Sequence, residues 1–488
     1  MTDLTPCSTT TSATPPTPVR PILLLLALVL PLAACDLIDG TQARNPDLTL
    51  EEAVSGAGSA EAWLNGLNHR HAVLTNELLV LAELTSDNYV NENTFFNTAV
   101  QNGVFNDTDT DVNNVQKEIA RLREQAQYGL DVILVENDPD AAGTEIEAGY
   151  HFWIGWSHLL AGDYFTGLPA ESAGEVLAPE THYTRAVTAF EEANRVAANP
   201  SFELALARAH YSLGNRSEAT THAQALLQAD PDYLRVQEFD GVNGPTSSME
   251  AAVYDRQSFN DLQPLPRLDF LDPKYGDLGG TEESPVILQS AEEAWLILIE
   301  AALSQDDLPL ATDRMEDLLD LVDSREIREF NESGEPRMGA SANVQRPNSS
   351  DVIVRASASD PFVAGLVLDR VEETPVPVVS GTSVTRTQIA NLTDSDGDAL
   401  ETLYLLRQEV LFGEGRRMAD LGVRWPVSRE EADNNENVTT AHRQPVIPEW
   451  LPATYSAINA WSREGDEVTI QVNLNRELVQ GRGNRFDP

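Results

Sequence analysis

The sequence predicts a mainly α protein, an α/α superhelix of tetratricopeptide-like helical hairpins interrupted by long irregular loop insertions. Apolar residues recur at three- and four-residue steps through several long stretches, the signature of amphipathic helices. Between residues 184 and 230 three such stretches are separated by Asn199-Pro200, Gly214-Asn215 and Asp230-Pro231, the residue types that end or cap helices. Over 233–285 and 323–393 the periodicity fails and Pro, Gly, Asp and aromatic residues take over.

Taken in order, residues 50–84 carry Trp63, Leu64, Leu67, Leu74, Leu78 and Leu81 on one stripe, and Gly56 and Gly58 divide a short helix from a long one. Helices are expected next at 111–135 and 141–161. The stretch 184–230 then reads as helices at 184–193, 202–213 and 217–229. Ala186 and Ala219 lie about 33 residues apart, close to the tetratricopeptide period of about 34, and alanine lets paired helices approach closely. Helices resume at 286–303 and 308–322. Short strands are expected at 352–355 and 376–379, the second confined to an edge by Pro377. A helix over 399–421 and an alternating strand over 467–474 follow.

The N-terminus reads as an address. An apolar run from Pro21, preceded by Arg20, extends for about 14 residues, too short to span a bilayer core of about 30 Å and right for a secretion signal. Leu32, Ala33 and Ala34 stand directly before Cys35 in the pattern of a lipobox, in which the cysteine is lipidated and becomes the new N-terminus. Several acyl chains together hold a protein at a membrane stably, where one alone does so marginally. The expected organisation is therefore a lipoprotein signal peptide at 1–34, a lipidated tether at 35–47 and a folded body at 48–488.

Charge and chemistry narrow the function. The 488 residues include 78 acidic and 32 basic ones, for a net charge of −46, which excludes nucleic acid as a natural partner. The two cysteines, Cys7 and Cys35, precede the body, which has neither a disulfide nor a thiolate metal site. No zinc-protease, nucleophile-elbow or phosphate-loop motif is present, so an enzyme is not expected, and neither is a cofactor or metal. The acidic run from Asp394 to Asp398 begins like a calcium loop. Ala399 and Leu405 stand where such a loop needs Gly and Glu, and the run reads instead as a cap for the following helix.

Three segments resemble the SusD/RagB family of outer-membrane nutrient-binding lipoproteins. Residues 150–169, with Trp153, Trp156, Asp163, Tyr164, Gly167 and Pro169, look like the family's long early helix and the turn that ends it. Residues 288–302 present Glu293, Ala294, Leu296, Glu300 and Ala301 in the order of a family helix. Residues 407–421 match a third family segment at Arg407, Glu414, Gly415, Arg417, Asp420 and Leu421, with Val410 where the family has Glu. Spacing alone gives these charges a structural role, pairing with neighbouring helices, and gives Gly415 a role in close helix approach.

The resemblance implies a non-catalytic protein held at the outer membrane by a lipid on Cys35. It would capture an oligosaccharide or peptide and deliver it to a SusC-like TonB-dependent transporter. It also implies aromatic platforms in the loops, here Tyr89, Phe95 and Phe96 after Ser86-Asp87-Asn88, and Tyr254, Phe259 and Tyr275 in the mid-chain insertion. Trp63, Trp153, Trp156 and Trp295 lie on helical faces and read as core. A tetratricopeptide-type protein-interaction scaffold is the alternative reading.

Overall fold

The computed structural model describes residues 56–92, 97–256, 260–276, 280–333, 346–371 and 373–487; the signal peptide, the tether and Cys35 lie outside them. Helix α1 (Ser59–Thr85) starts after Gly56 and Gly58, whose φ angles of 103° and 89° suit glycine and break the chain from what precedes. Asp138 Oδ2 accepts hydrogen bonds from Gly58 N at 2.8 Å and Ala60 N at 3.3 Å, satisfying amides that the helix leaves free. Helix α2 (Thr110–Tyr128) is capped by the Asp109 side chain and continues through π-helical turns over Gly129–Asn137. Thr144 caps α3 (Glu145–Tyr164).

Helices α4 (Pro179–Val196), α5 (Pro200–Ser212) and α6 (Arg216–Ala229) fill the stretch expected to be tetratricopeptide-like. Pro200 opens α5 rather than merely closing α4, because its fixed φ suits a first helical turn and Asn199 caps it. Helices α7 (Ala291–Leu303) and α8 (Leu308–Ser324) follow. From α1 to α8 each helix packs on its neighbour in the chain, the layering of an α/α superhelix. Helix α9 (Asp398–Val410) lies against α7 and against α11 (Leu474–Gly481), with the short α10 (Arg416–Leu421) between them in sequence.

Eleven short strands join these helices: β1 (Tyr89–Asn91), β2 (Leu168–Pro169), β3 (Val176–Leu177), β4 (Leu234–Gln237), β5 (Leu262–Pro264), β6 (Val286–Ser290), β7 (Ile327–Asn331), β8 (Ile353–Arg355), β9 (Glu373–Pro377), β10 (Trp461–Glu464) and β11 (Glu467–Ile470), among the described residues. They form small sheets only, pairing β1 with β5, β2 with β3, β4 with β6, β7 with β9, and β11 with both β10 and β8. Pro377 does sit in a two-stranded sheet, where every strand is an edge.

Three expectations change. Residues 286–290 are strand, because pairing with β4 takes a short apolar run that periodicity alone cannot assign. The helix expected over 399–421 breaks after Val410, where Gly413 and Gly415 take φ of 75° and 74°. The last alternating stretch stops at Ile470, and Asn473 caps a terminal helix.

One apolar core runs through the helical layers, from Leu67 and Leu74 through Trp156 and Phe190 to Leu403 and Trp425. A second gathers the irregular segments around Tyr89, Leu262, Leu268, Tyr275, Val354 and Phe412. The insertion over 233–285 is thus largely packed structure; its burial comes from contacts with distant segments. No described helix is long and apolar enough to cross a membrane.

Candidate ligand-binding cleft

The aromatic residues expected as loop platforms do not converge. Tyr89 and Tyr275 are each 1% exposed, so neither ring has a face open to a ligand. Tyr89 stacks on Phe412 at 4.7 Å and donates its hydroxyl to Asp272. Tyr254 is half-buried, its ring 5.3 Å from Phe330. Phe95, Phe96 and Phe259 lie outside the described residues.

A cleft lies instead among the helices. About 710 Å³ in volume, it is bounded by the first turns of α1 and α3, the start of α5 and the first residues of β4. Its floor is a cluster of rings. Phe152 stacks on Trp156 at 5.6 Å and lies 5.6 Å from Phe202, while Trp153 rests 4.6 Å from His71. The Trp156 indole donates to His71 Nε2 at 3.1 Å, so His71 Nδ1 carries the proton and donates to Gln237 Oε1. Burial pulls the His71 pKa down to about 4 and keeps the ring neutral.

Above this floor lies Arg235. Its guanidinium covers Phe152, 4.4 Å from the ring centroid, and reaches over Trp153 at 5.3 Å. Strand β4 positions it. Arg235 pairs with Gln289 of β6, and the register shifts between Arg235 and Val236, a bulge of the kind that re-aims a side chain. Gln289 then holds the anchor: Ser201 Oγ donates to Gln289 Oε1 at 2.6 Å, Gln289 Nε2 donates to Ser201 O at 3.0 Å, and Arg235 Nη1 donates to Ser201 Oγ at 2.7 Å. Burial pulls the Arg235 pKa below its usual value, with only the Tyr233 hydroxyl opposing it electrostatically. Asn65, Asn68 and Asn199 supply amides around the opening. Glu61 and Glu145 stand exposed in first helical turns, where the dipole favours acids. The cleft can therefore offer hydrogen bonds to hydroxyls and a preset cation to an anion.

Reading the sequence placed Trp153 in the core but did not mark Phe202, Tyr233 or Arg235. The only signal lay in Phe152 and Trp153 as adjacent rings on one helix; nothing local pairs them with an arginine some eighty residues on.

The first matched segment supplies the floor of the cleft, while the charged residues of the other two lie elsewhere and are buried. Arg407 binds Asp420 at 2.8 Å, Arg416 binds Glu293 at 2.9 Å, and Lys274 binds Glu414 at 2.8 Å. Arg417 binds both Asp87 oxygens, at 2.6 and 3.0 Å. Glu300 accepts from the Tyr211 hydroxyl and from Arg485 N. Gly415 N donates to Glu83, and a Cβ at Gly415 would stand 3.0 Å from the Tyr164 hydroxyl and 3.1 Å from Leu79. These groups face one another. In the acidic run, Asp398 accepts from Thr393 N and Asp394 N, closing its own loop rather than capping α9 by a side-chain bond. No group of three or more potential metal ligands occurs among the described residues.

The architecture is the SusD-like fold. The structure aligns with a SusD superfamily protein from Bacteroides vulgatus ATCC 8482 at a TM-score of 0.51 and 12% identity, over 78% of this chain and 97% of that one. A SusD superfamily protein from Bacteroides thetaiotaomicron VPI-5482 aligns at 0.50 and 12% identity, over 79% and 98%. A SusD-like carbohydrate binding protein from Bacteroides vulgatus ATCC 8482 aligns at 0.49 and 14% identity, over 75% and 83%. No family model matches the chain, and no curated protein matches its sequence.

Proposed function

We propose that this chain is a SusD/RagB-type lipoprotein, lipidated at Cys35, that captures an oligosaccharide at the outer membrane and passes it to a SusC-like TonB-dependent transporter. The observation that carries the reading is the SusD-like fold, which extends over 97% of a SusD superfamily protein. The Leu-Ala-Ala-Cys segment ending at Cys35 supports the anchor, and the ring-floored, amide-lined cleft supports a polar ligand with apolar faces, as sugars have. Capture and hand-over break no bond.

Three measurements test it together. Labelled palmitate should enter the wild-type chain and not Cys35→Ala. Purification in mild detergent should recover a large β-barrel partner, and a glycan array should yield a ligand. Recovery of a lone chain that ignores every glycan, with palmitate incorporation unchanged by Cys35→Ala, would overturn the proposal. A chain that instead binds a soluble protein through α4 to α6 and no glycan would be the scaffold.

A further inference from the structure

The cleft holds a charge that the fold leaves unmatched. In a chain with 78 acidic and 32 basic residues most buried guanidiniums take a carboxylate, and Arg123, which does not, donates to the Pro169 and Ala170 carbonyls inside the fold. Arg208 takes Asp163, Arg256 takes Asp272, Arg407 takes Asp420 and Arg417 takes Asp87. Arg235 takes none. Among the described residues its guanidinium donates to Ser201 alone, and no carboxylate lies within ion-pairing distance. Half-buried over Phe152 and Trp153, it lines the cleft with no counter-charge beside it, so an anion entering there meets a cation already in place.

The side chain is also fixed in advance. Ring stacking holds one face, the bulge in β4 sets its direction, and the Gln289–Ser201 pair holds Nη1. That leaves Nε and Nη2 as the donors for a planar acceptor, and a carboxylate matches such a fork. Phosphate would match it too, but the surroundings favour a sugar acid: Asn65, Asn68 and Asn199 suit hydroxyls, and no second cation lines the cleft. Exposed Glu61 and Glu145 at the rim would repel a run of consecutive acids and tolerate a single one.

We infer that the cleft selects an oligosaccharide carrying an isolated uronate, whose carboxylate binds the Arg235 guanidinium while its neutral neighbours meet the asparagine amides. This rests on the proposed role in glycan capture and names the ligand class for it. It also gives the −46 charge a consequence: the ligand must approach through a repulsive field, so capture depends on ionic strength, with screening speeding encounter and weakening the final pair.

The test uses the full mature chain and calorimetry. The probes are tri- and tetrasaccharides each bearing one glucuronate or galacturonate, paired with the same molecules after carboxyl reduction to the neutral sugar. The acid form of at least one probe should bind about tenfold or more tighter than its reduced form, the effect of one charge-assisted bidentate contact. Arg235→Met, which keeps an apolar stem over the rings, should erase that difference while leaving the melting temperature near wild type. Arg235→Lys should recover only part of it, since ammonium lacks the fork. Equal affinity for acid and reduced forms, or an acid preference that survives Arg235→Met, overturns the inference. If neutral glycans bind and no uronate is preferred, this inference falls and glycan capture stands. If no glycan of any kind binds, both fall.

Discussion

Replacing Asp87 by Ala should be among the most damaging single changes in the molecule. Its carboxylate receives Arg417 Nε at 2.6 Å, Arg417 Nη2 at 3.0 Å and Gln408 Nε2 at 2.8 Å, and the Arg417 side chain is only 2% exposed. Removing the acid strands a buried guanidinium, for which the expected cost is about 3–5 kcal/mol. Arg417 keeps one bond, to Asn475 Oδ1 at 2.9 Å, and Gln408 keeps Asn88, so the lower end of that range applies. The assay is urea unfolding followed by tryptophan fluorescence, reading a fall in midpoint at unchanged slope. The double variant Asp87→Ala/Arg417→Met removes both charges and should be more stable than Asp87→Ala alone by more than about 1 kcal/mol. A cost below about 1 kcal/mol for Asp87→Ala, or a double variant whose loss equals the sum of the two singles, would refute the claim that these groups are coupled in the core.

Gly415→Ala places a methyl group at φ 74° and within 3.1 Å of Leu79 and the Tyr164 hydroxyl, so it should lower stability by about 1–3 kcal/mol while leaving the far-ultraviolet circular dichroism unchanged. Stability should also fall between about pH 6.5 and 8. Burial pushes Glu83 and Glu414 up to about 7 against the pull of Lys274, above the 4.5 of a free glutamate. Their contribution is complete below pH 4.5 and lost as pH rises through 7, with the last of it, about 1 kcal/mol for each carboxyl, lost between about pH 6.5 and 8. His71 acts on the other side, since its contribution is complete above 6.5 and lost as pH falls through 4. Denaturation midpoints across this range should decline in the wild type and decline less in Glu414→Gln; identical slopes would sink the assignment.

The helices were legible because their burial is local. Leu67, Leu74, Leu78 and Leu81 share a face whatever they pack on, and Gly58, Asn199, Pro200 and Gly214 mark ends by their own backbone preferences. The irregular segments were not, because their order depends on partners far away. Tyr89 becomes core only through Pro264 and Phe412, and residues 286–290 become strand only through β4. The same reason hid the cleft. Phe152 and Phe202 read as ordinary helical apolar residues, and Arg235 gains meaning only when a strand bulge carries it across them. The charges of 407–421 were legible as structural, yet their partners were not: Glu83 and Gly415 meet across 332 positions of chain.

Those partners explain why one segment needs so many charges. The end of α1, the insertion at Lys274 and the turn at 411–417 belong to different parts of the sequence and to two different cores. Apolar contacts alone would allow them to slide. Lys274 binds Phe412 O and Glu414 together, Glu83 takes Gly415 N, and Arg417 takes Asp87, so each bond is satisfied in one register only. Burying ions is an expensive way to gain stability and an effective way to exclude alternatives. The contrast with Arg235 then has physical content. A charge that clamps the fold is recognisable because groups of the chain already answer it, as carboxylates do for Arg407 and Arg417 and the Pro169 and Ala170 carbonyls do for Arg123, whereas Arg235 stands at an open cleft with a single hydroxyl as its partner.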